Sequence, residues 1–341
     1  MLKQLKIMKL SIGKNNSCFI IADIGSNHKQ DLSLAKESVD AALEAGVDAV
    51  KFQSIQLEAL YHTPDAQTAS FIKQLEFPEE WHFILNEYTT KKGGIFFSSP
   101  TYLKAVDLLN EIEIPLFKLA SAQVGTFPQL VEKVASLHKP TLFSTGIANY
   151  TEIIEAVRVF KKHKNDQYII LHCNSIYPTP PERVNLQLMD TYRAMFNCSV
   201  GFSDHTNGTH VALAAVMRGA DVIEKHFTLH RKLNTPDCSS FASDPKQMRE
   251  LVEQVRDVEK AVSQFEDRLS IEEEENAFKK SITYRVVALR EIEAGETITM
   301  DCIQYLRSSE GIDCKEVDKY LGRKASKKIK ERELITEELI Q

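Results

Sequence analysis

The chain has 341 residues, 43% hydrophobic and 26% charged, with a formal net charge of −6. These proportions suit a globular protein long enough for a large barrel plus something small, and they leave no basic footprint for nucleic acid. Six cysteines without paired spacing fit a reducing cytoplasm and exclude a disulfide framework.

Met1–Asn16 interrupts its apolar positions with Lys3, Lys6 and Lys9, so no signal-peptide core is expected. No apolar run approaches the length of a membrane span, and a cytoplasmic location with no membrane partner is the expectation. From Cys18 onward, short apolar runs alternate with helix-length amphipathic runs. Strands are predicted at Cys18–Ala22, Ala49–Phe52, Ile95–Ser98, Leu116–Leu119, Thr141–Ser144, Tyr168–His172, Ser199–Phe202 and Asp221–Lys225. Helical runs separate them, and one more follows the eighth strand at about Pro245–Phe265. Eight β/α pairs in about 250 residues is the count and length of a (β/α)8 TIM barrel. An open doubly wound sheet is the alternative, but no strand is followed by a glycine-rich dinucleotide fingerprint.

Asp267–Lys280 is acidic, then basic, and reads as a linker. After it, Ser281–Leu289, Thr297–Thr299 and Cys302–Leu306 are short β-like pieces with turn signals between them. The run Lys324–Lys330 reads as a solvated helix face. The expected organisation is therefore a barrel domain over residues 1–266, a linker over 267–280 and a small domain over 281–341. A domain of about 60 residues is expected to bury little core alone and to need a docking surface.

The residues at the predicted strand ends are chemical in kind. They are Asp23, Asn27 and His28, then Lys51 and Gln53, Ser98 and Ser99, Lys118 and Ser121, and Ser144 and Thr145. The sixth to eighth strands add His172, Asn174, Ser175 and Tyr177, then Ser203 and His205, then Glu224 and His226. A closed barrel predicts this recurrence, because all its strand ends converge on one face. His205 and His226 end adjacent parallel strands, a plausible pair of metal ligands with positions left open for substrate. A lysine inside an apolar strand is costly unless it meets an anion, and here there are two, in AVKFQ and LFKLAS. With the hydroxyls around them they describe a pocket for phosphate or carboxylate. Two other readings stay open: snorkelling of each lysine to solvent, and a Schiff-base role for Lys118 or Lys51.

IADIGSNHKQDLSLA, AVKFQ, FKLASAQ, FSTGIA, LHCNSIYPTPPE, VGFSDHT and VIEKHFTL, in this order, resemble the sialic acid (nonulosonic acid) synthase family. VVALREIEAGETIT and LGRKASKKIKERELIT resemble that family's C-terminal antifreeze-like domain, a SAF or β-clip fold. The resemblance covers roughly Cys18 to Leu339. It implies a metal-dependent condensation of phosphoenolpyruvate with an N-acylated hexose such as N-acetylmannosamine, releasing phosphate. On matching positions, it implies that His205 and His226 hold a divalent ion, manganese or magnesium. It likewise implies that Lys51, Lys118, Ser121, Ser144 and Ser203 bind phosphoenolpyruvate, with Ser99 and Ser175 among the substrate-binding side chains. Gln53, Tyr177 and Asp237 would hold the sugar, and Arg307 would reach the N-acyl group across the interface of a domain-swapped homodimer. Lys118, Asp23 and the two histidines form the implied catalytic set.

Four positions depart from the family pattern. Asp23 stands for a common Glu, Gln123 for a Glu and Ser175 for an Asn, and Arg307 is followed by Ser-Ser instead of Pro-Gly. They fall mostly on the sugar side of the implied site. A 3-deoxy-octulosonate phosphate type of synthase would need a further anion site for a sugar phosphate, and no additional arginine cluster lies at the strand ends. A non-catalytic sugar-binding or ice-binding protein would leave the buried lysines and the histidine pair unexplained.

Overall fold

The computed structural model describes residues 5–8, 10–13, 16–233, 235, 237, 241–263 and 271–341. Two compact units form, Met1–Gln264 and Phe265–Gln341.

The first unit is built on eight parallel strands: β3 (Phe19–Gly25), β4 (Ala49–Ser54), β5 (Ile95–Pro100), β6 (Phe117–Leu119), β7 (Thr141–Ser144), β8 (Tyr168–Cys173), β9 (Val200–Asp204) and β10 (Val222–His226). They pair in the order β5-β4-β3-β10-β9-β8-β7-β6. Across the remaining seam, Ser99 of β5 donates to the Lys118 carbonyl of β6 at 3.2 Å. The strands carry near-continuous apolar runs because helices cover them outside and neighbours fill them inside; all seven residues of β3 are buried. Every expected barrel strand is present, several reaching a residue or more further toward the mouth.

The helices between strands bury one stripe and cap themselves locally. The helix Tyr150–Lys162 buries Ile153, Ala156, Val157 and Phe160, and a capping box between Asn149 and Glu152 fixes its start. A hairpin missed in the sequence, β1 (Leu5–Ile7) with β2 (Leu10–Ile12), adds Leu5, Ile7 and Ile12 to the barrel core. It abuts the N-terminal ends of the strands, where Ser11 and Ile12 share a cavity of about 310 Å³ with Phe19 and Asp48.

The second unit contradicts two expectations and adds a helix. Residues 267–270 lie outside the described residues, and the rest of the expected linker carries the helix Glu273–Ile282, which buries no residue. Its composition is helix-favouring, with acids in the first turn and lysines in the last; it lacks only the apolar stripe that marks a helix in sequence. Lys324–Lys330 is not a helix face, for Ala325 and Ile329 are buried and bridge to Ile340 and Ile292. The unit also has its own core, with Val286, Ile298, Cys302, Ile303 and Ile335 among its members. Here β11 (Tyr284–Ala288) and β12 (Ile303–Arg307) pair antiparallel, and Thr297 makes only an isolated bridge to Lys324.

Among the described residues no helix is long and apolar enough to cross a membrane.

Candidate active site

The charged strand-end residues meet at the C-terminal mouth of the barrel. Strand alternation sends Asp23 of β3, Lys51 of β4, Lys118 of β6 and Glu224 of β10 inward. Lys51 Nζ lies 2.7 Å from Asp23 Oδ2 and 3.4 Å from Glu224 Oε2. Lys118 Nζ lies 3.4 Å from Glu224 Oε1 and donates to Ser144 Oγ at 2.8 Å. Ser203 Oγ of β9 donates to Glu224 Oε1 at 2.7 Å. All four charged side chains are at most 3% exposed.

Burial shapes the titration of each. At Glu224 burial opposes ionisation, yet Lys118 and Lys51 outweigh it and hold the carboxyl down at about 2. Burial also works against the Lys51 ammonium, but Asp23 and Glu224 win and raise its pKa. At Lys118 burial prevails and lowers the pKa, and at Asp23 burial raises it against the pull of Lys51. Glu224 therefore balances two ammonium groups in a dry site. Lys118 keeps donor capacity beyond Ser144 and Glu224, because an ammonium carries three N–H donors.

Beside Lys118 the loops are lined with hydroxyls. Ser121 and Ser175 hydrogen-bond at 3.1 Å, and Gly146 runs directly against them. A Cβ at Gly146 would lie 2.3 Å from Ser175 Oγ and 2.5 Å from Ser121 Oγ, so only glycine lets this backbone approach.

On the other side sit the imidazoles. The His205 and His226 rings are 5.2 Å apart, centroid to centroid. His205 Nδ1 contacts the Asn174 carbonyl at 2.6 Å; a carbonyl only accepts, so Nδ1 donates and Nε2 keeps its lone pair. Burial, then the neighbouring His226, push the His205 imidazole down to about 3, which keeps it neutral. His226 Nε2 lies 3.5 Å from Asp23 Oδ2, and its buried Nδ1 has no hydrogen-bond partner among the described residues, with Asp237 Oδ1 3.9 Å away. Two facing imidazoles, with His205 Nε2 and His226 Nδ1 left open, fit a divalent metal. No group of three or more His, Cys, Asp or Glu suited to a metal occurs among the described residues, so other coordination positions would fall to water or substrate.

Asp237 closes over this side. Its Oδ2 accepts from Ser26 N at 2.9 Å, and Gly25, at φ +56°, packs between Asp237 and Gln53. The Tyr177 ring lies 4.3 Å from His205, tilted 40° to it, and desolvation of the hydroxyl raises the phenol pKa although the residue is partly exposed. Arg307 belongs to the second unit, where it is exposed on β12 with its guanidinium 5.5 Å from the Tyr284 ring.

Two strand-end histidines are structural. His28 packs edge-on to Trp81 and Phe77, and burial pushes it down to about 4; His172 Nε2 contacts the Val184 carbonyl at 2.6 Å. Sequence reasoning gave Glu224 no role, and it missed Phe241, whose ring lies 4.9 Å from His226 and 5.4 Å from Tyr177. Glu224 could have been found as a third charge inside an apolar strand; nothing in the sequence marks Phe241. A cleft of about 920 Å³ opens at the opposite, N-terminal end of the barrel. Its arginines are already engaged, Arg193 and Arg218 by Asp190 and Arg256 by Asp48 and Glu259, so the chemistry stays at the mouth.

A closed parallel barrel with buried lysines, carboxylates and histidines gathered at its C-terminal mouth is the architecture of a barrel enzyme. Comparison with known proteins narrows this. Residues 38–267 match the NeuB family. An uncharacterized protein of Methanocaldococcus jannaschii is 39% identical, covering 98% of each chain. The N,N'-diacetyllegionaminic acid synthase of Campylobacter jejuni is 36% identical over 93% of this chain and 98% of that one. The N-acetylneuraminic acid (sialic acid) synthetase of Leptospira borgpetersenii superposes with a TM-score of 0.75 at 32% identity, covering 82% of this chain and 98% of that one. The chain belongs to the NeuB family of sialic and other nonulosonic acid synthases, and it is an enzyme of the transferase class.

Glu224→Gln keeps the shape and the Ser203 bond but strips the counter-charge from two buried ammonium groups. We expect it to lower unfolding free energy by about 3–5 kcal/mol in a urea titration. A loss below about 1 kcal/mol would mean that the lysines do not depend on Glu224.

Proposed function

We propose that this protein condenses phosphoenolpyruvate with an N-acylated hexose, such as N-acetylmannosamine, to give a nine-carbon 2-keto acid and inorganic phosphate. The observation that carries the reading is the convergence of Lys51 and Lys118 on one buried carboxylate, in a hydroxyl-lined mouth beside two facing imidazoles. Two ammonium groups suit a substrate bearing both a phosphate and a carboxylate. Relatives named as legionaminic, pseudaminic and N-acetylneuraminate-9-phosphate synthases support an acylated amino sugar as acceptor.

In this reading Lys51, Lys118, Ser121, Ser144 and Ser203 grip phosphoenolpyruvate, with Ser99 and Ser175 completing that wall. Gln53, Tyr177 and Asp237 hold the open-chain sugar. C3 of the enol attacks the aldehyde carbon, forming the new C–C bond, and the aldehyde oxygen gains a proton. Water adds to the cationic C2, and the C2–O bond to phosphate breaks to leave the ketone. Asp23, buried 3.5 Å from His226, is assigned to proton transfer at the sugar oxygen. Manganese or magnesium held by His205 and His226 would supply Lewis-acid polarisation of that oxygen. The lysines and hydroxyls contribute orientation and charge stabilisation.

The test is release of phosphate from phosphoenolpyruvate. It should require an N-acylated hexose, stop with chelator and resume when manganese or magnesium is restored. His205→Ala and His226→Ala should each abolish turnover in a folded protein. Near-normal activity of either variant in chelator-treated buffer would contradict the metal assignment.

We assign the second unit as an antifreeze-like SAF domain and the active form as a domain-swapped homodimer in which Arg307 completes the site of the partner chain. Because that unit has a core of its own, the argument rests on Arg307, a cation exposed at the end of β12. Mixing inactive His205→Ala and Arg307→Ala proteins under subunit exchange should restore part of the activity. No recovery after proven exchange would rule out completion in trans.

A further inference from the structure

The two imidazoles are joined by something other than the site itself. Asp204 directly precedes His205, Lys225 directly precedes His226, and the two residues stand opposite each other in the β9–β10 register. Alternation sends Glu224 and His226 into the barrel and Lys225 out of it, toward the helix layer. There Lys225 Nζ meets Asp204 Oδ2 at 2.8 Å, at 1% and 0% exposure.

Among the described residues, the remaining side-chain bonds of this pair end on the residue that follows His205. Lys225 Nζ also donates to the Thr206 carbonyl at 2.9 Å, and Asp204 Oδ1 accepts from Thr206 N at 2.8 Å. His205 is therefore bracketed on both sides by one buried ion pair whose cation is anchored next to His226. A pair so deeply buried is a poor way to gain stability, since matched apolar side chains do as well or better. What the pair does uniquely is fix a distance and a loop path.

We infer that the Lys225–Asp204 pair is a positioning device that holds His205 at the spacing from His226 needed for shared metal binding. Neither residue touches substrate or metal. The inference rests on the metal reading above, and it adds a tie outside the barrel to the bond that orients His205 from Asn174.

The test uses the full chain, stripped of metal and titrated with Mn²⁺ alone, with free Mn²⁺ read by electron paramagnetic resonance. The double variant Asp204→Leu/Lys225→Met removes both charges together, so no buried ion is left unpaired. The folded double variant should bind Mn²⁺ about tenfold or more weaker than the parent, the usual scale for removing support behind a metal ligand, while phosphoenolpyruvate affinity stays within about twofold. A variant whose melting temperature changes but whose Mn²⁺ affinity stays within about twofold of the parent would overturn the inference, because a purely structural pair predicts that outcome. If the double variant does not fold, Asp204→Asn, which keeps the Thr206 N contact, carries the test: about threefold weaker binding or more supports the inference, and less overturns it. Failure of the parent itself to bind Mn²⁺ would remove the metal reading, and this inference with it.

Discussion

The site depends on one charge balance. Two lysines are held in a dry barrel mouth because Glu224 faces both, and Asp23 adds a second carboxylate to Lys51. Without those partners an ammonium at this depth would give up its proton or leave the barrel. With them, Lys51 is held as a cation although it is buried, and Glu224 offsets part of the burial that lowers the Lys118 pKa. Glu224 remains ionised at any working pH, because the lysines hold its carboxyl so far down.

The same constraint sorts the mouth into two sides. Lys118, Ser144, Ser121 and Ser175 make a wall of donors around Gly146, where no side chain would fit. Opposite them His205, His226, Tyr177 and Phe241 form an aromatic wall, with Asp237 above Gly25 and near Gln53. Asp23 lies at the border, touching Lys51 on one side and facing His226 on the other. Ser175 is also a border residue, hydrogen-bonded to Ser121 on one side and to Tyr177 on the other.

The barrel was legible because parallel strands buried on both faces must run apolar, so Lys51 and Lys118 stood out within them. The histidine pair was legible because adjacent parallel strands end on the same side. Glu224 was visible as a residue but not as the hub, since its part depends on distances across the barrel. Phe241 and the Asn174 carbonyl could not be read, because neither belongs to a pattern; each matters only through what the fold brings beside it. The helix Glu273–Ile282 escaped because its polar residues show no stripe, Phe278 being 65% exposed. The second unit's core escaped for a similar reason, its buried residues being scattered among turns and isolated bridges.

The central claim is that this mouth joins three carbons of phosphoenolpyruvate to an acylated amino sugar. Mass spectrometry of the protein incubated with phosphoenolpyruvate, manganese and a panel of N-acylated hexoses addresses it directly. The account predicts that one acceptor gains the mass of a single pyruvate unit, with one phosphate released for each product formed. Phosphoenolpyruvate left intact across a panel that includes N-acetylmannosamine and di-N-acetylated 6-deoxyhexoses, or phosphate released with no such product, would contradict it.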